Sequence, residues 1–189
     1  GDIYTVKLTG PAGATLKYLQ VDADGAGPST NGPLDFIVVE GGTTKHSLSV
    51  SVKKKGGGVV TIGDVIVEGG LKSFKAKASD LEVNGFVASG EVKSIQVRNL
   101  VEADPLVADA KIVTGAGTSK LNLTAGELRD GFRIETPQPL GTVKAGSIGD
   151  GEASAAALGS LSTSAGGIAA DFEIAGAVGA IKVKGGSVT

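Results

Sequence analysis

The sequence predicts an all-β chain: a β-solenoid of the parallel β-helix kind over residues 59–189, behind a small N-terminal β cap over residues 1–58. Three observations predict this fold. A short motif recurs about every 20 residues, a period typical of solenoids. Each copy alternates apolar and polar residues, as a half-buried strand does. The chain also holds 31 glycines and only 4% aromatic residues, which suits tight corners around a narrow core.

The repeat motif runs apolar, Lys or Gly, small or hydroxyl, apolar, polar, and small or apolar. Successive copies begin 21, 26, 22, 18 and 20 residues apart. An α-helical repeat is disfavoured, because glycine weakens helices. The second apolar position and the polar position after it predict one buried and one exposed column. The copies are 71–76, 92–97, 118–123 (the weakest), 140–145, 158–163 and 178–183; the apolar column is Phe74, Ile95, Leu121, Val143, Leu161 and Ile181, and the polar column is Lys75, Gln96, Asn122, Lys144, Ser162 and Lys182.

Further short strands are predicted between the copies, separated by glycine-rich corners. Glycine at these corners is expected to supply positive φ angles. Small residues such as Ala153–Ala157 indicate an interior that narrows toward the C-terminus. A glycine-rich antiparallel sandwich is the alternative fold. The strands are 81–87, 111–114, 132–135 and 168–174, and the corners are 69–70, 115–117, 149–151 and 166–167.

The first 58 residues have a different pattern. Four alternating segments (3–8, 15–21, 34–40 and 48–52) predict hairpins, which would cover one end of the solenoid because terminal repeats need caps. The run Lys53–Lys54–Lys55 is interpreted as a solvated turn, with a polyanion contact as the alternative.

Two loops are predicted to interrupt the coils, at 99–109 and 136–139. The first is expected to bulge outward, and the second to enter the next repeat extended, since each residue before a proline avoids the helical region. Such loops on a rigid scaffold are candidate binding segments. Tolerated insertion is the alternative interpretation.

Composition excludes several classes of function. The absence of Cys excludes disulfide scaffolds, thiolate metal sites and cysteine nucleophiles. The net charge of −2, with scattered Lys and Arg, argues against a nucleic-acid binder. No apolar run approaches the roughly 18 residues of a membrane-spanning helix. Because the chain starts at Gly1 and contains no Met, we expect a mature or excised segment.

His46 is the single histidine and therefore the first candidate for acid–base chemistry. Catalysis through a Ser–His–acid arrangement needs a serine within hydrogen-bond reach of the ring. Ser47 and Ser49 are both expected to face away from it along the strand. The sequence therefore predicts an exposed strand histidine without a catalytic role.

Asp22 and Asp24 are the candidate metal ligands. Carboxylates two residues apart and followed by Gly can turn several oxygens toward one calcium ion. Pro33 stands where an EF-hand loop would need its final Glu, so a looser calcium site is the hypothesis and a simple Asp/Gly turn is the alternative. A second charged cluster mixes both signs and is predicted to pair internally or to stay solvated. Its members are Glu127, Arg129, Asp130, Arg133 and Glu135.

The segments Val67–Phe74 and Gly141–Gly149 resemble the degenerate β-strand repeats of very large bacterial surface and secreted proteins, of the planctomycete type or like autotransporter adhesins. The resemblance covers about residues 59–189. It implies an exported structural or adhesive module, and it brings no shared catalytic residues. The 26-residue repeat and the hairpin-rich N-terminus depart from the family's pattern.

The sequence thus predicts a non-enzymatic structural or adhesive module, extracellular or at the cell surface, that stacks end to end into a filament. Its expected partners are other copies, further repeats of a parent chain and surface glycans, with no nucleic acid, no membrane insertion and no cofactor besides the calcium considered above. A polysaccharide-binding or polysaccharide-cleaving β-helix protein is the main alternative, although few aromatic residues are available for stacking on sugars. A trimeric viral or phage fibre segment is the third.

Overall fold

A computed structural model of the chain describes residues 3–20, 34–53, 57–102 and 110–188. Strands make up 66% of the described residues, and none of the described segments forms a helix that could cross a membrane. The strands are β1 (Ile3–Thr9), β2 (Thr15–Gln20), β3 (Leu34–Gly42), β4 (Ser47–Lys53), β5 (Val60–Gly69), β6 (Ser73–Ala88), β7 (Ser94–Leu100), β8 (Lys111–Val113), β9 (Leu121–Thr124), β10 (Glu127–Leu128), β11 (Phe132–Thr136), β12 (Leu140–Ala145), β13 (Ser147–Ile148), β14 (Gly151–Ala155), β15 (Leu158–Thr163), β16 (Asp171–Ile174) and β17 (Val178–Lys182).

Each turn of the chain contributes one strand segment to each of three parallel sheets. We name them sheets A, B and C in the order in which the chain passes through them from β4 onward. Sheet A contains the repeat motif and runs from β4 through the start of β6 to β17. Sheet B is narrow and passes through β10 and β13 to a bridge at Ile168. Sheet C runs from β3 to β16.

These pairings confirm the predicted parallel solenoid, which has about 6 turns. Buried side chains from equivalent positions of successive turns form continuous apolar columns inside it. The aligned core residues are Leu48, Phe74, Ile95, Leu123, Val143 and Leu161 in sheet A; Ile62, Leu81, Leu100, Leu128, Ile148 and Ile168 in sheet B; and Ile37, Val65, Phe86, Ile112, Ile134 and Ala153 in sheet C.

The inward side chains differ in size from turn to turn, and the narrowing expected from the small residues stays a prediction. Phe74 and Phe86 stack inside one turn with ring centroids 5.4 Å apart. Farther along sheet C the equivalent inward positions are taken by Ala153 and Ala155. The turn after Ala153 again has a ring at this position, because Phe172 is aligned with Ala153 and packs against the core.

Two antiparallel strands cover the N-terminal end. β1 pairs with β4 and β2 pairs with β3, while β3 and β4 pair in parallel with β5 and β6. Side chains of both covering strands, among them Tyr4, Val6 and Leu16, pack against the core. β3 and β4, which precede residue 58, continue in the same sheets as β5 and β6, which follow it. The domain boundary at residue 58 stays a prediction.

The register of the motif copy at 118–123 differs by two residues from the one that the sequence predicts. Leu123, and not Leu121, pairs with Ile95 and with Val143, whereas Leu121 pairs with Leu140. The outward residue of this turn is accordingly Thr124 rather than Asn122. The irregular strand is β9, which has one residue fewer between its two inward positions than β12, whereas β12 matches β15 residue for residue.

Gln138, between β11 and β12, forms hydrogen bonds to backbone groups beside this irregular turn. Its side-chain oxygen accepts from the Val92 N–H (3.0 Å), and its side-chain nitrogen donates to the carbonyls of Val92 (3.2 Å) and Ser119 (3.0 Å). The amide takes the place of a strand peptide beside Val92. Because its side chain is fully buried, these backbone groups would otherwise have no water to bind.

The corner glycines serve a different purpose from the one predicted. Of those at the four predicted corners, Gly69 alone has a positive φ, of 108°. Most of the others are needed because a neighbouring turn passes too close for a Cβ atom. A Cβ on Gly115 would meet the carbonyl oxygen of Ser89. The same holds within sheet A, where a Cβ on Gly159 would meet Gly141 O and one on Gly179 would meet Gly159 O.

The substitution Gly159→Ala should therefore destabilise the fold by about 1–3 kcal/mol, the usual cost of overpacking. The new methyl group must push the backbone of one turn away from the next. Gly57→Ala is the matched control, since a Cβ there meets nothing within 4 Å. Thermal unfolding should give a lower midpoint for the first variant alone; equal midpoints for both would refute the close-approach explanation.

Gln138→Ala should cost about 3 kcal/mol, because it leaves several buried backbone groups without partners. Gln96→Ala removes the same functional group from a half-buried outward position where no hydrogen bond to a described residue is formed. Denaturant titration of both variants measures the difference. If Gln138→Ala were as stable as Gln96→Ala, the bridging amide would have no structural role.

Candidate functional site

His46 lies in the turn between β3 and β4 and is only 3% exposed, which corrects the predicted exposed strand histidine. The Thr43 N–H donates to Nδ1 over 3.0 Å, and Nε2 lies 2.9 Å from the Pro11 carbonyl oxygen. Because a carbonyl can only accept, the ring hydrogen is on Nε2. Both nitrogens are thus engaged with the backbone, and the ring fastens the β1–β2 turn to the first turn of the solenoid.

The predicted calcium ligands Asp22 and Asp24 lie outside the described residues, and so do residues 54 and 55 of the lysine run and 103–109 of the first predicted loop. The start of that loop was placed too early, since residues 99 and 100 belong to β7. Across the described ranges, no group of three or more His, Asp or Glu side chains is arranged to hold a metal ion. The calcium site stays a prediction.

The mixed-charge cluster forms internal ion pairs, as predicted. Arg129 Nε lies 3.0 Å from Glu127 Oε2, and Arg133 Nε lies 2.5 Å from Glu135 Oε1. The first pair belongs to sheet B and the second to sheet C, separated by a corner at Gly131, whose φ is 77°. All four side chains are exposed, so the pairs contribute little stability.

A row of carboxylates on the outer surface of sheet C was missed by the sequence analysis. Glu152 and Asp171 are aligned on neighbouring strands, and Glu173 is aligned with Ser154 beside them. They line an open depression of about 1010 Å³. The spacing of 19 residues between Glu152 and Asp171 was the available signal, but it lies outside the repeat motif. Neighbouring carboxylates can serve acid–base chemistry, so the polysaccharide-cleaving alternative would use this row.

Two carboxylates near the corners have shifted pKa values. Burial, and then repulsion from Asp80, raises the pKa of Glu82. A hydrogen bond from the Ser119 side chain lowers the pKa of Glu91, whose Oε1 also accepts from the Ser119 N–H over 2.9 Å. Glu91 therefore joins two successive turns rather than facing a ligand.

The C-terminal end of the solenoid exposes its apolar interior. Val178, Ile181 and Val188 are 53%, 51% and 61% exposed, although the residues aligned with them in the preceding turn, Leu158, Leu161 and Ile168, are at most 3% exposed. The same columns that form the core thus reach solvent here. β17 pairs with β15 alone among the described strands, so its other edge presents unpaired backbone groups.

At the N-terminal end, Tyr4 has an unusual environment in β1. Its hydroxyl oxygen is buried with no hydrogen-bond partner among the described residues. Burial, and then repulsion from Tyr18, raises the pKa of Tyr4 to about 12. Antiparallel strands thus cover the first turn, whereas the last described turn leaves its inward residues exposed.

No family model, curated protein or solved structure matches this chain.

Stability should fall as Tyr4 ionises. Because its pKa is higher in the folded chain (about 12) than its ordinary value of 10.0, the folded state holds the proton more tightly. The resulting stabilisation is complete below pH 10 and is lost between about pH 10 and pH 12. Thermal midpoints measured across this range should fall less for Tyr4→Phe than for the unchanged chain. Tyr18→Phe removes only the smaller cause of the shift, so its profile should lie between the other two. A Tyr4→Phe profile identical to that of the unchanged chain would contradict the assignment.

Proposed function

We propose that this chain is a non-enzymatic structural or adhesive module of an exported protein, extracellular or at the cell surface, which provides a stiff scaffold. The observation that carries the proposal is the unbroken parallel pairing from β3 to β17, with one core running through every turn. In such a stack each turn is held by backbone hydrogen bonds to both neighbours, so the rod resists bending.

Export is proposed on two grounds. The repeat segments resemble those of bacterial surface and secreted proteins, and a chain without Cys avoids stray thiol chemistry in oxidising surroundings. The enzymatic alternative depends on the carboxylate row of sheet C. Arg133 is aligned with Glu152 in that row, so a cation stands among these carboxylates.

The open C-terminal end is the proposed contact with other copies or with further repeats. Stacking there would bury Val178, Ile181 and Val188 and would pair the free edge of β17. If copies meet only through this end, association stops at a dimer. The filament expected from the sequence would also require the free edges of β1 or β2 to accept a strand.

Analytical ultracentrifugation of the chain over a wide concentration range tests the stacking. We expect concentration-dependent association, either to a dimer or to a longer series. Ile181→Lys should abolish it, because a buried unpaired charge is costly. The matched control is Ile66→Lys, which places the same change at an exposed apolar residue (41% exposed) on the outer surface of sheet C.

The variants should first be compared by circular dichroism, so that a loss of folding is not mistaken for a loss of contact. A monomer at every concentration would overturn the stacking proposal. Equal loss of association in both variants would show that the contact lies elsewhere. Measurable turnover of acidic or neutral polysaccharides, with loss of turnover in Glu152→Gln, would overturn the non-enzymatic proposal.

A further inference from the structure

The outer surface of sheet A has a charge pattern that the rest of the molecule lacks. Its strand segments are β1, β4, the first five residues of β6, β7, β9, β12, β15 and β17, and none of them contains Asp or Glu. The described acidic residues lie instead in sheets B and C and at the corners. Although the net charge of the whole chain is −2, every charged residue of these strand segments is a cation.

Four lysines of this surface fall in a single row across the strands. The register places Lys7 beside Ser49, then Lys75, Gln96, Thr124, Lys144, Ser162 and Lys182 in succession. The lysines are therefore two, three and two strands apart, or about 10, 14 and 10 Å at the usual strand spacing of about 4.8 Å. We call these eight residues the lysine row.

The lysine row has no counter-charge within the described chain. Lys7, Lys75, Lys144 and Lys182 are exposed, and none of them takes part in an ion pair with a described residue. The observed pairs join Lys17 to Glu40, Arg98 to Asp80, and the two arginines of the mixed cluster to their neighbouring glutamates. The described carboxylate nearest in sequence to one of these lysines is Asp80, five residues after Lys75, and it lies 3.4 Å from Arg98 Nε.

The positions between the lysines indicate the chemistry of the ligand. Ser49, Gln96, Thr124 and Ser162 offer hydroxyl and amide groups, which can donate to and accept from sugar hydroxyls. The aromatic residue of the motif, Phe74, points into the core. Outward rings on which bases could stack are thus missing from these strands, and single-stranded nucleic acids rely on such rings.

We infer that the lysine row binds a linear acidic polysaccharide, with the polymer lying along the solenoid axis and crossing the strands of sheet A. Its carboxylate or sulfate groups meet the lysine ammonium groups, and its hydroxyl groups meet the side chains between them. The surface is open rather than cleft-like, so binding is shallow and weakens with added salt. This site goes beyond the scaffold role proposed above and does not depend on end stacking.

Binding of the full chain to four polymers tests the inference: polygalacturonate for carboxylate groups, dextran sulfate for sulfate groups, neutral dextran, and single-stranded DNA. Calorimetry at low and high salt, at protein concentrations below any self-association, keeps the result separate from stacking. We expect one or both acidic polysaccharides to bind at low salt, neutral dextran not to bind, and DNA to bind more weakly.

The double variant Lys75→Gln/Lys144→Gln should bind the acidic polysaccharide about tenfold more weakly, because cations next to a polyanion each contribute a share of the affinity. Lys17→Gln/Lys111→Gln makes the same change in net charge on β2 and β8, outside sheet A, and should remain within about twofold of the unchanged chain. Both pairs are exposed or half-buried at the surface, so folding should survive.

Three results would overturn the inference. Equal weakening by both double variants would mean attraction to overall charge rather than to the lysine row. Tighter binding to DNA than to either acidic polysaccharide would assign the surface to nucleic acid. No binding to any acidic polymer at low salt would leave the lysine row without this function. If stacking fails while polygalacturonate or dextran sulfate binds, the proposed contact at the C-terminal end is wrong and the lysine row stands.

Discussion

The fold depends on hydrogen bonding between successive turns, at the strand spacing of about 4.8 Å. Each turn must place its inward residues directly beneath those of the next, which explains the long apolar columns of the three sheets. The same closeness excludes a Cβ atom wherever backbones approach, so Gly141, Gly159 and Gly179 follow one another in sheet A. Gln138 shows the same constraint where the strand register is irregular. Its side-chain amide makes the hydrogen bonds to Val92 that a strand peptide would otherwise make.

Much of the architecture could be predicted from the sequence, because a parallel stack repeats the same residue pattern. The motif located sheet A, and the short strands between its copies located sheet C. The misaligned turn shows the limit: Leu121 and Leu123 are both apolar and both face inward, so the alternation cannot distinguish a shift of two residues. The burial of His46 was equally hidden, because it depends on Pro11, which is 35 residues away in sequence.

Inward positions are fixed by the stack, and outward positions are free to vary. The chain uses this freedom unevenly, with lysines and hydroxyl groups on sheet A and carboxylates on sheet C. The lysine row was visible in the sequence as the polar column of the motif, with one member wrongly assigned as Asn122. Its significance depended on the register, which brings Lys7 of the N-terminal cap into the row, and on the absence of acidic neighbours within the described strands. The sequence alone could not show that Lys7 lies beside Ser49, nor which acidic residues lie outside sheet A.

Hydrogen–deuterium exchange of individual strands, at low and high protein concentration, tests most directly that the molecule is a stack of turns with one open end. At low concentration we expect the β12 amides to exchange slowly, and the β17 amides directed away from β15 to exchange fast. At high concentration the β17 amides should become protected while those of β12 do not change. Protection of β17 equal to that of β12 at low concentration would contradict the open end. Exchange of β17 that does not depend on concentration would contradict stacking.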